Sequence, residues 1–176
     1  MAFKKSRKRS SIRYAQNFLV NPSLVRMLVR KARISSDDIV LEIGPGRGII
    51  TRELARVARK VVAIEKDKKM AVEARKTVAN LSNTSVIHED FLNFQIKHPR
   101  FKIFSNPPFA VSSKIIRRIV QMPAPPQDTY LVMQHETAKR FASINQEYLF
   151  TVQTRPWFTF RIVHSFKPTD FKPVPG

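Results

Sequence analysis

A glycine-rich turn directly after a short apolar run constrains the fold of this chain more than any other feature. Residues 39–43 read as a buried strand, and the turn Gly44-Pro45-Gly46-Arg47-Gly48 precedes a helix predicted over 49–58. Glycines let the backbone pass close to a ligand at the carboxyl end of a first strand. The turn therefore indicates a ligand-binding unit of the strand-turn-helix kind.

Strands and helices alternate along the rest of the chain. Asn21-Pro22 opens a first helix, because Asn caps helices and Pro fits their first turn. Further helices are predicted over 68–79, 112–120 and 135–142, and strands over 61–65, 85–88, 101–105, 129–133 and 157–166. This rhythm predicts an α/β fold of the Rossmann-like type, with a mostly parallel, doubly wound sheet.

The residues after three successive strands suggest a cofactor. The spacing E-x-G-x-G-x-G over 42–48 is typical of class I S-adenosylmethionine-dependent methyltransferases, whereas dinucleotide enzymes use G-x-G-x-x-G. Glu65 ends the second strand and could accept both ribose hydroxyls. Asp90 follows the third and could accept the exocyclic amine of the cofactor's adenine. Gly44, Gly46, Glu65 and Asp90 are therefore the predicted cofactor residues; the alternatives are a nicotinamide site, a solvated Glu65 and a helix-capping Asp90.

Asn106-Pro107-Pro108-Phe109 follows the fourth strand and suggests the chemistry. The lone pair of an exocyclic adenine amine is delocalised into the ring, so the amine is a poor nucleophile. Two acceptors, the Asn106 side-chain oxygen and the Pro107 carbonyl, can draw its protons out of plane and localise that lone pair. Phe109 can stack on a base turned out of its helix. The alternative is a plain turn after a strand.

Charge points to the partner. The 176 residues include 32 Lys and Arg against 13 Asp and Glu, and the net charge is +19, which attracts polyanions such as nucleic acid. Residues 1–15 are expected to form a basic, flexible arm and residues 16–176 the catalytic domain. Gln16 to Leu19 could close over the cofactor as a lid, or Phe18 and Leu19 could simply pack on the core.

The same composition excludes several classes of protein. There is no cysteine, no apolar run near the ~20 residues of a membrane span, and no metal-ligand spacing among the four histidines. The sequence therefore predicts a cytoplasmic protein that binds neither a membrane nor a metal.

These motifs together resemble the ribosomal RNA adenine N6-methyltransferases. That family contains the erythromycin-resistance (Erm) enzymes and the small-subunit dimethyladenosine transferases of the KsgA type. The matching stretches are QNFLVNPSLV, VLEIGPGRGIITREL, VVAIEKD, HEDFL, FSNPPF, LVMQHETAKRF and TDFKPVP. The resemblance implies S-adenosylmethionine as cofactor. The cofactor contacts it implies are Asn17, Leu19, Gly44, Glu65, Asp90 and Asn106, and the target-base contacts are Asn106, Pro107 and Phe109.

The branch of the family is less closely defined by the motifs. QNFL and the ending look more like the Erm branch, which implies methylation of one adenine in 23S rRNA and resistance to macrolide, lincosamide and streptogramin B antibiotics. Pro107 departs from the family's usual Ile or Leu and also occurs in adenine methylases with other substrates. The alternatives are a KsgA-type 16S rRNA enzyme and an inactive RNA-binding assembly factor. We expect a monomer that lacks the family's C-terminal helical domain.

Overall fold

Seven strands and six α-helices make up the structure, a computed structural model that describes residues 17–143 and 147–175. In chain order they are β1 (Phe18–Leu19), α1 (Pro22–Lys31), β2 (Ile39–Ile43), α2 (Ile49–Ala55), β3 (Lys60–Glu65), α3 (Lys68–Thr77), β4 (Thr84–His88), β5 (Lys102–Ser105), α4 (Ser112–Val120), β6 (Thr129–Leu131), α5 (His135–Phe141), α6 (Leu149–Thr154) and β7 (Phe171–Lys172). The predicted basic arm, residues 1–15, lies outside the described residues.

Five of the strands form one parallel sheet in the order β4-β3-β2-β5-β6. The chain moves outward from β2 to β4, then returns to the other side of β2 with β5. The strand order therefore reverses between β2 and β5, and open α/β sheets bind their ligands at such a reversal. This confirms the predicted mostly parallel Rossmann-like sheet.

Helices cover both faces of the sheet, as doubly wound folds require. On one face Val40 and Val61 pack with Val25 of α1 and Leu54 of α2. On the other face Leu41, Ile64 and Ile103 pack with Ile115 and Ile119 of α4. Neighbouring residues of β2 thus enter opposite cores, because side chains alternate along a strand.

Local capping explains where two helices begin. The Asn21 Oδ1 accepts hydrogen bonds from the amides of Ser23 (2.9 Å) and Leu24 (3.2 Å), and Pro22 occupies the first turn of α1, as predicted. The Asp67 Oδ1 caps α3 in the same way, with the amides of Lys69 and Met70 at 2.8 and 3.0 Å. Each cap satisfies amides that the helix leaves without a partner.

The strand predicted over 157–166 is wrong. Half-buried side chains such as Phe160 and Ile162 alternate there with exposed ones such as Arg161 and Val163, which is the pattern of a strand. Among the described residues, however, the backbone of 159–166 hydrogen-bonds to no other backbone group, so no ladder forms. Side-chain alternation predicts which way residues face, whereas a strand also needs a neighbour.

A short ribbon joins the two ends of the described chain and was not predicted. β1 pairs antiparallel with β7, with Leu19 opposite Phe171, and the Val20 amide donates to the Asp170 carbonyl at 3.1 Å. Leu19 and Phe171 are both buried in the core cluster of Val25 and Val40. Helix α6 was not predicted either, and α2 ends at Ala55 rather than at residue 58.

Candidate active site

The predicted site residues lie together at the carboxyl edge of the sheet. Gly44 follows β2, Glu65 ends β3, Asp90 comes two residues after β4, and Asn106 follows β5. The register of the parallel pairs aligns these ends, with Ile43 opposite Ile64 and Glu65 opposite His88. The fold therefore brings the predicted cofactor and target-base residues to one edge of the sheet.

The glycine loop has the backbone conformation that its sequence predicts. Gly44 and Gly46 have φ of +69° and +54°, values that side-chain-bearing residues rarely adopt. A Cβ on Gly44 would meet no atom within 4 Å, so a ligand can approach the backbone there. A Cβ on Gly46 would lie 2.6 Å from the Phe18 ring, so Gly46 is needed for that ring to pack.

Glu65 presents a buried, free acceptor. Its side chain is 4% exposed, and its Oε1 accepts the Asp67 amide at 2.9 Å. Its Oε2 is buried and has no hydrogen-bond partner in the structure. Burial raises the pKa of Glu65, although the nearby amides of Asp67 and Gly46 lower it in part. An unpaired buried carboxylate oxygen is costly, and a ribose hydroxyl would satisfy it.

Glu42 is a buried group to which the sequence reasoning assigned no role. It is fully buried in β2 next to the glycine loop, and neither carboxylate oxygen has a hydrogen-bond partner. Burial raises its pKa to about 8; Thr51 opposes this rise and the charge of Glu65 adds to it. Glu42 is the first residue of the E-x-G-x-G-x-G pattern, so its place in that pattern was the available signal.

Asp90 is held by neighbours on both oxygens. Its Oδ2 pairs with the Lys66 ammonium at 2.7 Å, and its Oδ1 accepts the Leu92 amide at 3.0 Å. Burial raises the pKa of Asp90, but Lys66, the Leu92 amide and the charge of Arg118 together hold it below its ordinary value. Asp90 therefore stabilises its own turn, and as an ionised acceptor it retains lone pairs for a further donor.

Asn106 has one half of its amide engaged and the other half free. Its Nδ2 donates to the Asn17 carbonyl at 2.8 Å, which orients the side chain. Its Oδ1 is buried and has no partner in the structure. The preceding residue, Ser105, donates from Oγ to the Ile43 carbonyl at 2.5 Å and so ties the end of β5 to the start of the glycine loop. Asn106 thus offers a fixed, unpaired acceptor beside the cofactor loop.

Pro107 and Phe109 complete the motif. Pro107 is buried, whereas Phe109 is half-buried and begins a 3-10 turn, Phe109–Val111, that leads into α4. The rings of Phe109 and Phe171 meet edge to face, with centroids 6.3 Å apart. A segment distant in sequence thereby contacts the predicted base-stacking ring.

In the segment before α1, the structure supports the packing interpretation for Leu19, and the lid over the cofactor stays a prediction. Leu19 is 3% exposed and packs in the core, as the packing interpretation expects. Phe18 instead lies against Gly46, with the Arg47 guanidinium 5.3 Å from its ring centroid. Asn17 contributes its carbonyl to Asn106, and Gln16 lies outside the described residues. The cofactor contacts of Asn17 and Leu19 stay predictions.

Neither a metal cluster nor a membrane span is found in the part of the chain that the structure describes. No group of three His, Cys, Asp or Glu side chains within it could hold a metal ion. None of its helices is long and apolar enough to cross a bilayer.

The parallel sheet, the glycine loop and the acidic strand ends define a class I S-adenosylmethionine-dependent methyltransferase fold. The residues fit that cofactor: Gly44 leaves open space, Glu65 offers a free oxygen and Asp90 an ionised one. The ribosomal RNA adenine dimethylase family model matches residues 7–176, and the chain belongs to that family.

Named relatives and a solved structure agree with this assignment. The chain is 33% identical over 163 residues to an rRNA adenine N-6-methyltransferase of Corynebacterium diphtheriae, covering 93% of this chain and 63% of the relative. It is 34% identical to a dimethyladenosine transferase of Chaetomium thermophilum, covering 92% and 44%. The crystal structure of the 23S rRNA methyltransferase ErmE superimposes with a TM-score of 0.85 at 30% identity, covering 91% of this chain and 66% of that one. The chain thus spans under two thirds of these curated relatives.

Proposed function

We propose that residues 16–176 form a catalytic domain that transfers a methyl group from S-adenosylmethionine to the exocyclic N6 of an adenine in 23S rRNA. The single observation that supports this most is the buried, unpaired Oδ1 of Asn106, whose orientation is fixed by the Asn17 carbonyl. A buried acceptor without a partner is costly, and an amine proton would satisfy it.

The proposed reaction depends mainly on aligning the adenine amine with the methyl group of the cofactor. When bound, the cofactor supplies an electrophilic sulfonium methyl group. The Asn106 Oδ1 and the Pro107 carbonyl accept hydrogen bonds from the two amine N–H groups and so turn the nitrogen lone pair towards that methyl group. Phe109 stacks on the extruded base and holds it in place. Transfer would form the nitrogen–carbon bond as the methyl–sulfur bond breaks, which would leave S-adenosylhomocysteine, and the methylated nitrogen would release one proton to solvent.

Gly44, Gly46, Glu65 and Asp90 would hold the cofactor. The Gly44 backbone gives room for its amino-acid part, the free Oε2 of Glu65 accepts a ribose hydroxyl, and Asp90 accepts the adenine amine. The net charge of +19 favours an RNA substrate, because each neutralised phosphate releases counterions. We place the domain's action in the cytoplasm, on ribosomal RNA.

We favour the Erm branch over the KsgA branch, although relatives of both kinds match the chain. The support is the likeness to the 23S rRNA methyltransferase ErmE, with a TM-score of 0.85. The competing candidate is a small-subunit enzyme, since a relative 31% identical over 137 residues is named Ribosomal RNA small subunit methyltransferase A. Resistance to macrolide, lincosamide and streptogramin B antibiotics would follow from the 23S assignment alone.

Mapping the methylated nucleotide tests the proposal. The chain is incubated with labelled S-adenosylmethionine and a mixture of protein-free 16S and 23S rRNA, and the labelled nucleotide is located by primer extension. We expect label on N6 of one adenine of 23S rRNA. Label confined to 16S rRNA would replace the 23S assignment with the KsgA-type activity. Cofactor binding without any label would favour the inactive assembly factor.

A further inference from the structure

Arg118 of α4 reaches across to the segment that carries Asp90. Its Nη1 donates to the Leu92 carbonyl and its Nη2 to the Phe94 carbonyl. Its guanidinium also lies 5.3 Å from the centroid of the buried Phe91 ring. One side chain therefore contacts three residues of the segment after β4: the carbonyls of Leu92 and Phe94 and the ring of Phe91.

The turn itself is otherwise held mainly by local bonds. The Asp90 carbonyl accepts the amides of Asn93 and Phe94, and the Asp90 carboxylate accepts the Leu92 amide. In the described structure, two side chains from distant segments make polar contacts with residues 90–94: Lys66 pairs with Asp90, and Arg118 donates to the carbonyls of Leu92 and Phe94. The Lys66 side chain is 72% exposed, so its ion pair is screened by solvent. The partly buried Arg118 fork is the firmer of the two anchors.

Arg118 also acts on Asp90 through its charge, which lowers the pKa of that carboxyl and favours the ionised acceptor. Its helix begins directly after the turn of Phe109, and Ile115 and Ile119 bury the helix against the sheet. The position of α4 is thereby linked both to the target-base motif and to the turn after β4.

We propose that Arg118 is a positioning residue that sets Asp90 to recognise the exocyclic amine of the cofactor's adenine. The inference rests on the proposed function, because it requires S-adenosylmethionine in this crevice. Two parallel N–H groups on a planar fork fix a turn in direction as well as in distance, which a single ammonium does not do. Lysine at this position would keep the charge and lose the fork.

Selectivity for adenine tests this role. S-inosylhomocysteine carries a carbonyl where S-adenosylhomocysteine carries the amine, so it withdraws the donor that Asp90 would accept. Dissociation constants for both are measured by calorimetry on the unaltered chain, Arg118→Met, Arg118→Lys and Arg117→Met. Arg117 is the matched control, since it is the exposed neighbour on the same helix. The preference of the unaltered chain for the adenine compound should be about tenfold or more, as a hydrogen bond to a charged group supports.

Arg118→Met should reduce this preference to about threefold or less, and Arg118→Lys should restore little of it, whereas Arg117→Met should leave it unchanged. A merely structural role would weaken both compounds equally and keep the ratio, which would overturn the inference. So would an unaltered chain that binds both compounds alike. If Arg118→Met does not fold, the ratio of the two dissociation constants of Arg118→Lys tests the inference in the same way. Failure of the unaltered chain to bind either compound would instead refute the proposed function, and the inference with it.

Discussion

Replacing Glu42 with Gln should make the chain more stable and less sensitive to pH. The folded chain holds this carboxyl at a pKa of about 8 because it is buried, whereas its ordinary value is 4.5. Between those two pH values the folded chain binds the proton and the unfolded chain releases it. Stability therefore falls as the pH rises through this window, and the amide, which does not titrate, removes that fall.

The size of the effect follows from the difference between the pH of the measurement and the ordinary pKa of the carboxyl. At pH 7 the raised pKa of Glu42 lowers the free energy of unfolding by about 3 kcal/mol, because each pH unit above the ordinary pKa contributes about 1.4 kcal/mol. At pH 5 the same cost is under about 1 kcal/mol. Glu42→Gln should thus gain up to about 3 kcal/mol at pH 7 and little at pH 5. Urea unfolding followed by circular dichroism, without added cofactor, measures both differences.

Glu53→Gln is the matched control with the opposite sign. Glu53 is also buried, at 3% exposed, but its two oxygens pair with Arg56 at 2.6 Å and Arg26 at 3.2 Å. Loss of the Glu53 charge should lower the free energy of unfolding by about 1 kcal/mol, because both arginines are half-exposed. The reasoning is refuted if Glu42→Gln is less stable than the unaltered chain at pH 7, or if the two keep the same slope of stability with pH.

Two further substitutions separate alignment from binding. Asn106→Ala should lower methyl transfer by about 100-fold or more, and the affinity for S-adenosylhomocysteine by no more than about fivefold. The control is Asn83→Ala, which should lower stability alone, because the Asn83 amide donates to the carbonyls of Ala55 and Ala58 away from the site. Equal losses of turnover and affinity for Asn106→Ala would contradict the alignment mechanism. Gly46→Ala should weaken S-adenosylhomocysteine binding measured by calorimetry, because its Cβ would lie 2.6 Å from the Phe18 ring at a φ of +54°; unchanged affinity would show that the loop relaxes freely.

The sequence predicted the parts of this molecule that local chemistry determines. Asn21 and Asp67 begin helices because their side chains bond to nearby amides, although only the Asn21 cap was predicted. The glycine pattern predicted the turn after β2, and alternation of strands and helices predicted a parallel sheet. Because parallel strands end at one edge, the sequence also predicted that Glu65, Asp90 and Asn106 lie at the same edge of the sheet.

Features that depend on distant partners were missed. Pairing of Leu19 with Phe171 and the edge contact of Phe171 with Phe109 join segments that no local pattern connects. The predicted strand over 157–166 failed for the same reason, since alternation says nothing about which strand lies beside it. The buried state of Glu42 was missed as well: its place in a buried apolar strand indicated it, but the usual cost of burying a carboxyl argues against it.

We expect the ribbon of β1 and β7 to open locally, without unfolding of the interior sheet. Leu19 and Phe171 anchor it in the core, but it pairs only two residues of each strand, drawn from opposite ends of the described chain. Its backbone hydrogen bonds should therefore open more readily than those of the interior sheet. Native-state hydrogen exchange would see the Val20 amide released in a local opening that leaves β2 and β3 protected. Since the Asn17 carbonyl orients Asn106, each such opening would free the Asn106 side chain while the fold persists. The lifetime of the closed ribbon would then set an upper limit on how long the site stays organised for transfer.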